Sequence, residues 1–148
     1  MIDLGIDGLN VISNSFKNGE VIPKKFTKEG ENINPSIIIN NLPLETESIV
    51  IILDNDQNFT HWIVYNIDPT TEIKENENPG IEAMNDFNKR KYIGPVSSKN
   101  KILYFFRVYA LNKLLDISNL GKRKEIENAM GKSIISRGEL MCIYGGEI

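Results

Sequence analysis

The stretch IVIILDNDQNFTHWIVY, residues 49–65, constrains the fold more than any other part of the chain. Two apolar runs rich in β-branched residues flank a short acidic and polar segment, the pattern of two strands joined by a reversal. Asp54, Asp56 and the sole histidine, His61, therefore fall at strand ends beside a turn. Loops positioned by rigid strands commonly carry binding groups, so this reversal is the first candidate site. Along residues 60–67 a period of two puts His61, Ile63 and Tyr65 on one face and Trp62 and Val64 on the other. His61 is thus expected to face a pocket while Trp62 packs into the opposite layer.

The remaining strand signals are shorter. Residues 9–12 and 37–39 are β-branched or apolar pieces among Gly, Asn and Pro, and Pro43 suits the margin of a sheet. Residues 101–111 form a long run with Ile102, Tyr104, Phe106, Val108 and Ala110 on one face and Leu103, Phe105 and Tyr109 on the other. Apolar groups on both faces imply a strand between two layers. Arg107 interrupts the second face as a strand-edge or supporting cation. Residues 122–130, KRKEIENAM, carry Ile126, Ala129 and Met130 at helical spacing. Ser118 or Asn119 could cap that helix. It either continues to Ile134 or stops at Gly131 in left-handed cap geometry. A last strand is expected at residues 140–144, and residues 81–87 fit a helical turn or an irregular loop equally well. With one crossover helix available, the chain reads as mainly β with an antiparallel sheet and a late helix.

A length of 148 residues fits one domain. Seventeen basic and twenty acidic side chains are interspersed, giving a net charge of -3. This argues against broad attraction to nucleic acid or an anionic membrane. No apolar run approaches the ~20 residues of a membrane span. The amino terminus lacks the basic and apolar regions of a secretory signal, and the lone Cys142 excludes an internal disulfide. A cytoplasmic location is the resulting expectation.

The ordered segments GENINP with Ile37, DND at Asp54, FTHW, NDF, YIGP and YFFRVYAL resemble the bacterial and archaeal branch of the phosphatidylethanolamine-binding protein family, which includes Raf kinase inhibitor proteins. The similarity runs over essentially the whole chain, including ELMCIY near its end. It implies a large central antiparallel sheet packed against a smaller one, with a small cavity at strand ends that accepts phosphate-like or other small anions. Carried over by position, the resemblance implies a ligand-binding wall of Asp54, Asp56, His61, Gly94, Pro95 and Tyr104, supported by Trp62 and Arg107. No catalytic residue, metal ligand or cofactor is implied. A protein partner, reached through an inhibitor-like surface with a vestigial pocket, is the second functional expectation, and weak hydrolysis is the third.

Three departures bear on that wall. The family's DPDAP is here Asp54 to Asn58 without either proline, a second pocket histidine and its arginine neighbour become Ile102 and Leu103, and a later histidine becomes Lys132. Ile102 puts an aliphatic wall where imidazole would donate or accept a hydrogen bond. Lys132 is a candidate replacement charge that spacing alone does not place.

Other chemistry in the chain is weaker. Asp54, Asp56 and Asn58 begin like a calcium loop, but Phe59 and Tyr65 occupy its glycine and glutamate positions. His61 with an aspartate has the ingredients of acid-base chemistry. Cys142 in LMCIY reads as a buried strand residue, and the KRK run as a solvated helix face.

Overall fold

A computed structural model describes residues 7–117 and 121–146. Its elements in chain order are β1 (Asn10–Ile12), β2 (Ile37–Asn40), β3 (Ser48–Asn55), β4 (Thr60–Ile67), β5 (Glu72–Ile73), β6 (Ile81–Glu82), β7 (Lys101–Leu111), α1 (Arg123–Met130) and β8 (Ile134–Gly145). A three-stranded sheet has the order β1-β2-β5 and a five-stranded sheet the order β6-β4-β3-β7-β8. All these pairings are antiparallel.

The continuous apolar run of β3 is explained by two cores. Ile49, Ile51 and Leu53 point toward the small sheet and join Val11, Ile37, Ile39, Ile73, Phe106 and Val108. Val50 and Ile52 point the other way, with Ile63, Tyr65 and the α1 residues Ile126 and Met130. A strand buried on both faces has no polar face to alternate with. On β7 the face assignment follows the sequence pattern: Ile102, Tyr104, Phe106, Val108 and Ala110 are buried, while Leu103, Phe105, Arg107 and Tyr109 are half-buried.

Several boundaries differ from the sequence expectation. β8 starts at Ile134 rather than near residue 140, because Ser136, Arg137 and Glu139 break the apolar signal while their backbone still pairs with β7. The helix stops at Gly131, whose φ of 44° with ψ of −121° is open to glycine but is not the left-handed helical cap. Lys122 occupies the N-cap position and its N–H is bonded by Glu125. Ser118 and Asn119, the expected caps, lie outside the described residues. Residues 81–87 form the two-residue strand β6 and a loop.

Both edges of the large sheet are protected. β6 is only two residues long. The outer side of β8 is covered by the N-terminal segment, where the N–H groups of Gly19 and Ile22 donate to Met141 and Ile143 carbonyls, and the Ile143 N–H donates to Glu20. A short edge and a covered edge leave few unpaired groups to recruit another chain. Among the described residues no helix is long and apolar enough to cross a membrane.

Candidate functional site

His61 owes its direction to a β-bulge. Leu53 pairs with Trp62 and Asp54 with Thr60, leaving His61 as the extra residue on β4. A bulge interrupts strict alternation and re-aims a side chain. Thr60 points toward α1, within 3.4 Å of Arg123. His61 turns to the other side of the sheet, where its ring lies edge-on to Tyr104 at 5.2 Å. That is also the side on which Trp62 is packed, against Tyr92 and in the same core cluster as Tyr104. The expectation from alternation that His61 and Trp62 lie on opposite faces is therefore overturned, and the bulge is the reason.

The loop after β6 completes the surroundings. Asn85 is fully buried. Its amide donates to the carbonyls of His61 and Lys91, and its oxygen accepts from the N–H groups of Phe87 and Lys89. Asp86 adds a pair of bonds to the backbone of Thr60. These contacts set Phe87 edge-on to both His61, at 5.1 Å, and Phe59, at 5.0 Å.

The result is a cavity of about 330 Å³ lined by Asn55, Phe59, His61, Phe87, Ile102 and Tyr104 with the 96–98 segment and Gln57. That volume is at the small end for organic-ligand sites. His61 Nδ1 lies 2.9 Å from the Ile93 carbonyl and 3.0 Å from that of Gly94. Carbonyls only accept, so Nδ1 carries the proton and Nε2 of the neutral ring is an acceptor. No hydrogen bond to Nε2 is made by the described residues. Burial holds the imidazole pKa below its ordinary value, although the two carbonyls and the carboxylates of Asp86 and Asp54 act in the opposite direction. Burial likewise raises the Tyr104 pKa, and its hydroxyl oxygen accepts the Val96 N–H at 3.2 Å.

The depressed histidine pKa gives a stability prediction. Between the unfolded pKa near 6.5 and the lower folded value, the unfolded chain binds more protons. His61 therefore favours folding above about pH 6.5, and this contribution falls as pH drops through the folded pKa. Denaturant midpoints are expected to fall from pH 7 to 5, with a shallower decline in His61→Gln. An identical decline in both proteins would assign the effect elsewhere.

The residues expected from the sequence have different placements. His61 and Tyr104 line the cavity. Gly94 and Pro95 stand behind it: the Gly94 carbonyl orients His61, and the Pro95 carbonyl accepts the Lys28 N–H. A Cβ on Gly94 would come within 2.0 Å of the Phe26 carbonyl oxygen, so close backbone approach requires glycine there. Asp54 is turned to the α1 side, buried, and bonded to Arg107 and Arg123. Asp56 is exposed on the turn and does not line the cavity. Trp62 donates its indole N–H to Glu82. Lys132 lies beyond the Leu111 end of β7, while Ile102 pairs near the opposite end, so Lys132 is not at the cavity.

Asn55, Phe59, Asn85 and Phe87 were not singled out as site residues from the sequence. The NDF segment was a usable signal, because a buried asparagine in a turn can bond several backbone groups at once. Cys142 is fully buried and its thiol is pushed up to about 12, as befits a packed strand residue. Among the described residues no three His, Cys, Asp or Glu side chains converge as metal ligands.

Comparison with known proteins agrees with this architecture. The chain is 39% identical over 148 residues to a UPF0098 protein of Pyrococcus horikoshii, covering 90% of this chain and 75% of the relative. It is 36% identical over 150 residues to a UPF0098 protein of Aquifex aeolicus, covering 92% and 88%. A crystal structure of a phosphatidylethanolamine-binding protein homologue from Chlamydia trachomatis superposes with a TM-score of 0.87 at 27% identity, over 94% of this chain and 98% of that one. Escherichia coli YbcL shares the fold, with a TM-score of 0.83 at 20% identity over 94% and 99%. The family model described as phosphatidylethanolamine-binding protein matches residues 12–145, and with the two sheets, their order and the strand-end cavity it shows that this chain belongs to the phosphatidylethanolamine-binding protein family.

Proposed function

We propose that this chain binds a small phosphate-like anion in its protonated, monoanionic form at the His61 cavity. The observation that carries the reading is the orientation of His61: Nδ1 is committed to two carbonyls, so Nε2 offers an acceptor to the cavity. A fully ionised phosphate has no proton to give that acceptor, and its charge gains nothing from a neutral ring. A phosphomonoester monoanion donates its P–OH to Nε2 and keeps one negative charge. Protonation of the imidazole before binding gives the same complex, with the proton supplied by His61.

The second ionisation of a phosphomonoester lies near pH 6, so the monoanion is the main species at pH 5.5 and a few per cent at pH 7.5. Apparent affinity is expected to fall on the order of twentyfold between those values. The sole histidine makes the measurement direct, because its ring resonances report the site without interference from another. Phosphoethanolamine titrated to millimolar concentration at pH 5.5 should shift them, and His61→Gln should lose the localised response of the neighbouring amides. Absence of any localised shift at pH 5.5, or affinity that rises with pH, would sink the reading.

A further inference from the structure

We infer that the cavity selects phosphomonoesters with an apolar ester group, and that Lys28 supplies the cation that meets their charge. The inference rests on the reading of His61 above and adds what surrounds the acceptor. Phe59, Phe87, Val96 and Ile102 form most of the nonpolar wall, and Phe59 is 37% exposed at the mouth. A bare phosphate leaves these side chains unused. An aryl or alkyl ester covers them while its P–OH reaches Nε2.

Lys28 is not part of the lining but stands beside one of its residues. Its Nζ lies 5.3 Å from the centroid of Phe87, a wall residue, and its backbone N–H is fixed 2.9 Å from the Pro95 carbonyl. Its backbone is therefore tied to the segment whose Gly94 carbonyl orients His61. Among the described residues Lys28 makes no ion pair with a carboxylate, unlike Lys25, which is paired with Glu75. The opposing charges nearby are engaged: Glu29 accepts from the Ser97 N–H and hydroxyl and from Tyr144, and Asp86 accepts from the Thr60 N–H. Lys28 can thus swing from the aromatic face to an incoming anion without breaking an ion pair. Lys132, at the far end of β7, has no such access.

The test compares inorganic phosphate, phosphoethanolamine and phenyl phosphate at pH 5.5, read by the His61 ring in the wild type, Lys28→Gln, Phe59→Ser and Lys132→Gln. Phenyl phosphate is expected to bind about tenfold tighter than inorganic phosphate, the scale of partial burial of one ring. Lys28→Gln should weaken both about fivefold and flatten their dependence on salt. Phe59→Ser should reduce the phenyl preference to about twofold, and Lys132→Gln should match the wild type. Backbone spectra of the variants report whether each remains folded.

Phosphoethanolamine binding tighter than phenyl phosphate would overturn the apolar-ester assignment in favour of a polar headgroup. An unchanged affinity in folded Lys28→Gln would overturn the role of the lysine. In both cases the response of His61 to phosphate would persist, so the reading beneath this inference would stand. Loss of response to all three probes in the wild type would remove both.

Discussion

Asn85→Ala is expected to destabilise the protein by about 3 kcal/mol or more, because one fully buried side chain satisfies four backbone groups. Each buried donor or acceptor left without a partner costs roughly 1–3 kcal/mol, reduced where water can enter. The losses fall on one loop, so its release should precede global unfolding. Phe87 would lose its fixed place against Phe59 and His61, and the His61 carbonyl would lose its amide partner. Urea unfolding should show the lower midpoint, and hydrogen exchange should show loss of protection at the Phe87 and Lys89 amides. Asn85→Asp separates size from chemistry: it keeps the oxygen facing those two amides but removes the donor to His61 and Lys91. A stability within 1 kcal/mol of wild type for Asn85→Ala would show that the loop is held by Asp86 and packing instead.

The sheet was legible because its strongest strands are buried on one or both faces. Residues 60–67 and 101–111 were bounded by sequence as they are in the structure. β8 was only half legible, since polar residues on its exposed side hide a ladder that is a backbone property. The cavity was harder to read. Alternation assigns His61 to the wrong face because a bulge depends on pairing register between two strands, and one strand's residue pattern does not contain that register. The same limitation hid Asn55, which follows Asp54 on β3 and takes the cavity side. Charge was misleading in another way: Asp54 looked like a pocket acid, but its partners are supplied 53 and 69 residues later.

Asp54→Ala is accordingly expected to act on the framework, with a loss of about 3 kcal/mol and a Tm lower by roughly 6–12 °C. The carboxylate is 1% exposed, bonded by Arg107 Nε at 2.9 and 3.1 Å and by Arg123 Nη1 at 2.6 Å. Removing it leaves two partly buried guanidinium groups facing each other, with the exposed Glu139 and Glu127 as their remaining carboxylate partners among the described residues and weaker contacts to the Thr60 hydroxyl and the Phe105 ring. Truncating one member of a buried charged network costs about 3–5 kcal/mol, and the 29% and 23% exposure of the two arginines places this case at the lower end. Arg123 belongs to α1, so the bond also fastens the helix whose Ile126 and Met130 close the second core. Asp54→Ala combined with Arg123→Ala should be less destabilised than the sum of the single variants, because the second change removes one stranded cation. A ligand-binding role for Asp54 predicts the reverse pattern: near-normal stability with loss of the His61 response to phosphate. Denaturation and phosphate titration of the same folded samples therefore separate the two roles, and the geometry favours large destabilisation with binding retained within a few-fold.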